Sequence, residues 1–73
     1  MGSTNMLENL FRLSNGQLIL IEWVPPYYYS FTLYDKAGTA LSGGDIVAPA
    51  DTSHYTIAEK ALQQMGMDDV TIL

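Results

Sequence analysis

The sequence predicts an α+β fold: a small antiparallel sheet of four to five strands, in the chain order β-β-β-β-α-β, with one helix packed on one face. Three observations carry this. Turn signals at Asn15-Gly16 and at Asp35-Lys36-Ala37-Gly38 divide runs rich in β-branched and aromatic residues. A helical stripe follows the cluster Asp51-Thr52-Ser53. A short β-rich stretch, Val70 to Leu73, comes last.

The elements follow in order. Asn5-Met6-Leu7-Glu8 resembles a capping box, which allows a helix over 6–13. A strand over 9–14 is the better reading, because Asn-Gly between apolar runs is the strongest short hairpin signal. Leu18 to Val24 and Tyr28 to Tyr34 are the second and third strands. Between them Pro25-Pro26 excludes a tight two-residue turn, since the proline ring fixes φ near about −65°, and a four-residue loop from Val24 to Tyr27 is expected. The Asp35 turn places Gly38 in the left-handed region. Thr39 to Ser42 is a short fourth strand, ended by Gly43-Gly44, and Ile46 to Ala50 is a connection closed by Pro49. The helix starts at Asp51, Thr52 or Ser53, all good N-caps. It buries Tyr55, Ala58, Ala61, Leu62 and Met65, and Gly66 suits the position just past its end.

The turns also set an expected register. Asn15-Gly16 pairs Leu13 with Leu18, the four-residue loop pairs Trp23 with Tyr28, and the turn after Asp35 pairs Leu33 with Leu41. Side chains alternate between faces along a strand. One face then collects Phe11, Leu13, Leu18, Leu20, Phe31, Leu33 and Leu41, all apolar, with the helix as cover. The other collects Arg12, Ile19, Ile21, Trp23, Tyr28, Ser30, Thr32 and Tyr34. A one-residue slip would exchange these assignments. On this register Ile19, Ile21, Trp23, Tyr28 and Tyr34 form an exposed aromatic–aliphatic patch, the kind of surface that marks an interaction site.

Composition narrows the function classes. The chain has 73 residues and reads as one small domain over 1–73, with residues 1–5 a candidate disordered leader. Such a domain buries only about 60–65% of its unfolded surface, and chains this small often gain stability by associating. Cysteine is absent, so thiolate metal sites and disulfides are excluded. The net charge is −5, and the only cations, Arg12, Lys36 and Lys60, are scattered, which argues against direct nucleic-acid binding. Residues 18–34 are poor in charge but hold Glu22 and two prolines, so no membrane span is expected. The first eleven residues carry no cation and no apolar stretch, so no secretory signal is read and a cytoplasmic protein is expected.

No catalytic, cofactor or metal set stands out. His54, the one histidine, lies too close to Asp51 and Ser53 for a triad to reach around a substrate. His54 with Asp45 and Asp51 has no recognised metal-ligand spacing. Gly43-Gly44-Asp45 lacks the lysine of a phosphate-cradling loop, and nothing in the sequence brings Glu22 together with Asp35 or Glu8 as an acid–base pair.

The reading is therefore a small acidic, non-enzymatic protein-interaction domain. It self-associates as a homodimer through the aromatic sheet face or an edge strand, or binds another protein. One alternative is a phage- or mobile-element-type accessory or inhibitor protein that binds a basic protein surface. A second is a small-ligand binder or enzyme with its site at a dimer interface.

Overall fold

A computed structural model describes residues 9–26 and 28–73. The expected leader at 1–5 and the capping-box pattern ending at Glu8 lie outside the described residues.

Four strands form one antiparallel sheet in the spatial order β1-β2-β3-β4, and one helix follows. They are β1 (Leu10–Arg12), β2 (Leu18–Val24), β3 (Tyr28–Tyr34), β4 (Ala40–Val47) and α1 (His54–Gln64). Residues 10–12 are thus strand and not helix. The expected last strand is reduced to a single antiparallel bridge, Leu13 with Ile72. Around that bridge Ser14 N–H donates to Thr71 O at 2.8 Å and Leu73 N–H donates to Arg12 O at 2.9 Å. The tail therefore lies against the outer edge of β1.

The register differs from expectation by one residue at all three hairpins; the loops explain the first two and a β-bulge the third. At the first, Leu13 N–H donates to Gln17 O at 2.8 Å and Gly16 N–H donates to Leu13 O at 3.0 Å. The loop is three residues, 14–16. Only Gly16 takes positive φ, at 90°, whereas a two-residue type I′ turn needs positive φ at Asn15 as well. The Asn15 carboxamide instead accepts from Gln17 N–H at 3.0 Å. Arg12 consequently opposes Leu18. At the second hairpin Val24 opposes Tyr28, so the loop is again three residues, with a cis Pro25–Pro26 peptide. Each change reverses the face of β2 relative to its neighbour. The two cancel across β1 and β3, so β2 is inverted from the expected arrangement while β1 and β3 keep theirs.

At the third hairpin the turn itself forms as expected. Asp35 Oδ1 accepts from Ala37 and Thr39 N–H, each at 2.9 Å, and Gly38 has φ 91°. A β-bulge opposite Leu33 and Tyr34 then takes up one residue, so Leu33 faces Ser42 and not Leu41. β4 also runs five residues past its expected end and includes the two glycines that were read as its stop. Gly44 sits opposite Phe31, and a Cβ there would lie 2.9 Å from the Phe31 ring. The aromatic ring occupies the space a side chain would need, so glycine here serves packing and does not end the strand. Gly44→Ala is expected to cost about 1–3 kcal/mol by overpacking. Urea unfolding measures this, and an unchanged midpoint would show that the ring has room to move.

The helix is capped at both ends. Ser53 Oγ accepts from Thr56 N–H at 3.1 Å. At the far end Met67 N–H donates to Leu62 O and Gly66 N–H to Gln63 O, a Schellman motif with Gly66 at φ 73°. The buried stripe is Ile57, Ala58, Ala61 and Leu62. Tyr55, expected inside, is 48% exposed, its ring edge-on to Phe11 at 6.2 Å. The stripe seats on Leu13, Ile19, Ile21, Tyr29, Phe31, Leu33, Ile46 and Ala48 in one core. The partly buried Phe11, Met65, Met67, Val70 and Ile72 pack against it. This is the covered face of the sheet.

Candidate functional site

The register decides where the expected interaction residues go. Ile19 and Ile21 are 0% exposed, because inverted β2 turns them under α1. This corrects their assignment to an exposed patch. Trp23 opposes Tyr29 and so shares the covered face, at its end, where it is 46% exposed. Tyr28 and Tyr34 do lie on the opposite, open face. Leu18, Leu20 and Leu41, expected in the core, are not buried.

Among the described residues no element lies over the open face. Cross-strand partners share a face, so its content reads in rows across the strands. One row is Arg12, Leu18, Tyr34 and Ala40; the next is Leu10, Leu20, Thr32 and Gly43. A third is Glu22, Ser30 and Asp45, and the last is Val24, Tyr28 and Val47. Two apolar blocks are thus separated by an acidic row. Val47 is 83% exposed and Leu41, the extra residue of the bulge, is 50% exposed. Both belong to β4, the border strand of the sheet.

The two borders of the sheet differ. β1 is three residues long and carries the tail beside Arg12 to Ser14. β4 is eight residues long, and among the described residues no backbone group outside the sheet bonds to it. Its outward N–H and C=O groups are therefore open to a further strand. No Lys, Arg or Pro interrupts Ala40–Val47, and Asp45 is its only charge. This feature was hidden in the sequence because strand four was ended at Ser42. The β-branched pair Ile46-Val47 was the signal that it continues.

One buried anchor fixes how the covered face meets the helix. The Tyr29 side chain is 1% exposed. Its hydroxyl donates toward Ala50 O at 2.9 Å, with Pro49 O and Thr52 O each at 3.2 Å. These carbonyls belong to the turn that leads into α1, which Thr52 N–H closes on Pro49 O at 3.0 Å. His54, the first residue of α1, packs edge-on against the Tyr29 ring at 5.9 Å. It is half-buried, not the solvated side chain a helix-start histidine suggests.

The carboxylates are dispersed. Glu22 and Asp45 flank Ser30 on the open face, and Asp35 holds its own turn. Among the described residues no three His, Cys, Asp or Glu side chains group to hold a metal ion. A half-open cleft of about 420 Å³ lies between α1 and the tail, with Leu62, Met67 and Val70 among its lining and Glu59 and Asp68 beside them. No helix of the described residues is long and apolar enough to cross a membrane. No protein-family model, curated protein or solved structure matches the chain.

Proposed function

We propose that this protein is a small non-catalytic interaction domain that self-associates through the uncovered part of its sheet, the helix-free face or the border strand β4. One observation carries the reading. The open face holds the partly exposed Leu10, Leu18, Leu20, Val24, Tyr28 and Tyr34 and the exposed Val47, with no element over them among the described residues. An antiparallel sheet with one face in water is ordinarily polar on that face, and an apolar surface of this extent marks an interaction site. Small size supports the same reading, since the core under one helix leaves little surplus stability and association adds to it by mass action.

Sedimentation equilibrium from low micromolar to a few hundred micromolar tests it. A monomer–dimer equilibrium is expected, and a single monomeric species throughout would overturn the reading. Val47→Lys is expected to shift the equilibrium toward monomer with an unchanged circular-dichroism spectrum. Val47 is 83% exposed in the single chain, so its replacement removes no core contact.

A further inference from the structure

We propose that two copies of the chain join β4 to β4, antiparallel, about a twofold axis through Gly44, into one eight-stranded sheet. The inference rests on the self-association reading and names the border along which it happens.

Charge chooses between face and border. Stacking two open faces would bury the row Glu22–Ser30–Asp45 of each copy inside the interface. Four carboxylates would then be desolvated, with Arg12 of each copy as the only cation on the face, at its far corner. Burying charges without partners is strongly unfavourable. Pairing along β4 leaves that row in water.

Geometry then chooses the register. For the two copies to keep their helices on the same side, residues of like face must oppose one another. The covered-face positions of β4 are Ser42, Gly44 and Ile46, from their partners Leu33, Phe31 and Tyr29. Gly43, Asp45 and Val47 take the open face, and Leu41, the extra residue of the bulge, is assigned to it by counting back from Ser42. With Gly44 on the axis, Leu41 opposes the second copy's Val47, Ser42 opposes Ile46, and Gly43 opposes Asp45. The two exposed large hydrophobic residues of the strand cover each other twice, and no acid faces an acid. With Asp45 on the axis, two carboxylates would oppose each other directly, which is destabilising. With Gly43 on the axis, Leu41 would meet Asp45 and Val47 would stay uncovered. Only the Gly44 axis satisfies every pair.

Seven paired residues make a seam about 24 Å long. Such a seam buries less than the roughly 800 Å² per partner of a standard stable interface. The dimer is therefore expected to be a weak, reversible one, held largely by backbone hydrogen bonds.

Cross-linking reads the register directly, because the chain contains no cysteine. Leu41→Cys and Val47→Cys chains are prepared separately, mixed and mildly oxidised. The proposal places these two positions opposite each other, at the about 4.5–5.5 Å Cα separation of antiparallel partners, within disulfide reach. Positions 41 and 41 of the two copies, or 47 and 47, are about 20 Å apart. The mixed disulfide dimer is expected to exceed either symmetric one by roughly an order of magnitude. Leu20→Cys, at the middle of the open face, is expected to stay uncross-linked. If Leu20→Cys cross-links to itself, or the mixed species shows no excess while the unsubstituted chain sediments as a dimer, the β4 pairing is overturned and self-association stands. A chain that sediments only as monomer overturns both.

Discussion

Ile21→Ala is expected to lower the unfolding free energy by about 2–5 kcal/mol, while Leu20→Ala, one residue earlier on the same strand, costs under about 1 kcal/mol. The contrast follows from the face each side chain takes. Ile21 is 0% exposed and opposes Phe31 under α1, so truncation leaves a cavity in the core that its neighbours fill only in part. Leu20 opposes Thr32 on the open face and is only partly buried, so truncation leaves no enclosed void. A domain of this length has a total stability of about 4–11 kcal/mol. Ile21→Ala therefore removes a large share of it. Urea unfolding of both variants at low protein concentration, where association does not contribute, measures the pair. A reversed order, with Leu20→Ala the costlier, would mean that β2 carries the opposite face inward and would remove the basis for the open-face assignment.

Tyr29→Phe is expected to cost about 1–3 kcal/mol. The substitution keeps the ring, and with it the contacts to Trp23's strand and to His54, and deletes only the hydroxyl. That hydroxyl is the donor at the centre of three carbonyl oxygens from Pro49, Ala50 and Thr52. Without it the oxygens converge on an apolar ring edge, and the turn must open to hydrate them. Tyr29→Ala adds the loss of the largest fully buried side chain of the core, for a total of about 3–5 kcal/mol or more. Thermal or urea unfolding of the two variants separates the hydrogen bond from the packing. Faster amide exchange at Thr52 in Tyr29→Phe would show that the loss acts through the turn. An unfolding midpoint unchanged in Tyr29→Phe would show that the hydroxyl holds nothing.

The strand-and-helix order was legible because it rests on local chemistry. Asn15-Gly16 and Asp35 to Gly38 did mark hairpins, and Ser53 and Gly66 did mark the ends of the helix. What failed was the count of residues inside two loops. Asn-Gly fits both a two-residue turn with both residues at positive φ and a three-residue loop with only Gly16 there. The flanking apolar residues do not choose between them, because Leu18 and Leu20 are as apolar as Ile19 and Ile21. A strand that is apolar at consecutive positions carries no face signal of its own. Its orientation is settled by the seat that α1 offers, which is a tertiary fact.

The helix stripe was mis-anchored for a similar reason. Tyr55 and Ile57 both continue a 3.6-residue pattern with Ala58, Ala61 and Leu62. The branched aliphatic side chain takes the core, and Tyr55 remains at the rim against Phe11. Of the five expected interaction residues, Tyr28 and Tyr34 keep the open face because β3 was placed correctly. Ile19, Ile21 and Trp23 left it with β2. At the β4 border the low strand propensity of Gly43-Gly44 reads as a stop and outweighs the strand signal of Ile46-Val47, whereas Phe31 makes the glycines a continuation.

The unequal borders of the sheet have a consequence for how far assembly can run. A flat sheet with two open edges propagates, each added copy presenting a fresh template for the next. Here one edge is short and has the Thr71 to Leu73 tail bonded beside it, and the other is long and has no backbone partner outside the sheet among the described residues. An isologous pair consumes both bare edges at once. What remains outward on either side is the tail-bearing border. On the proposed β4 pairing the tail would act as a terminator: among the described residues one long open border remains per chain, and growth is expected to stop at two.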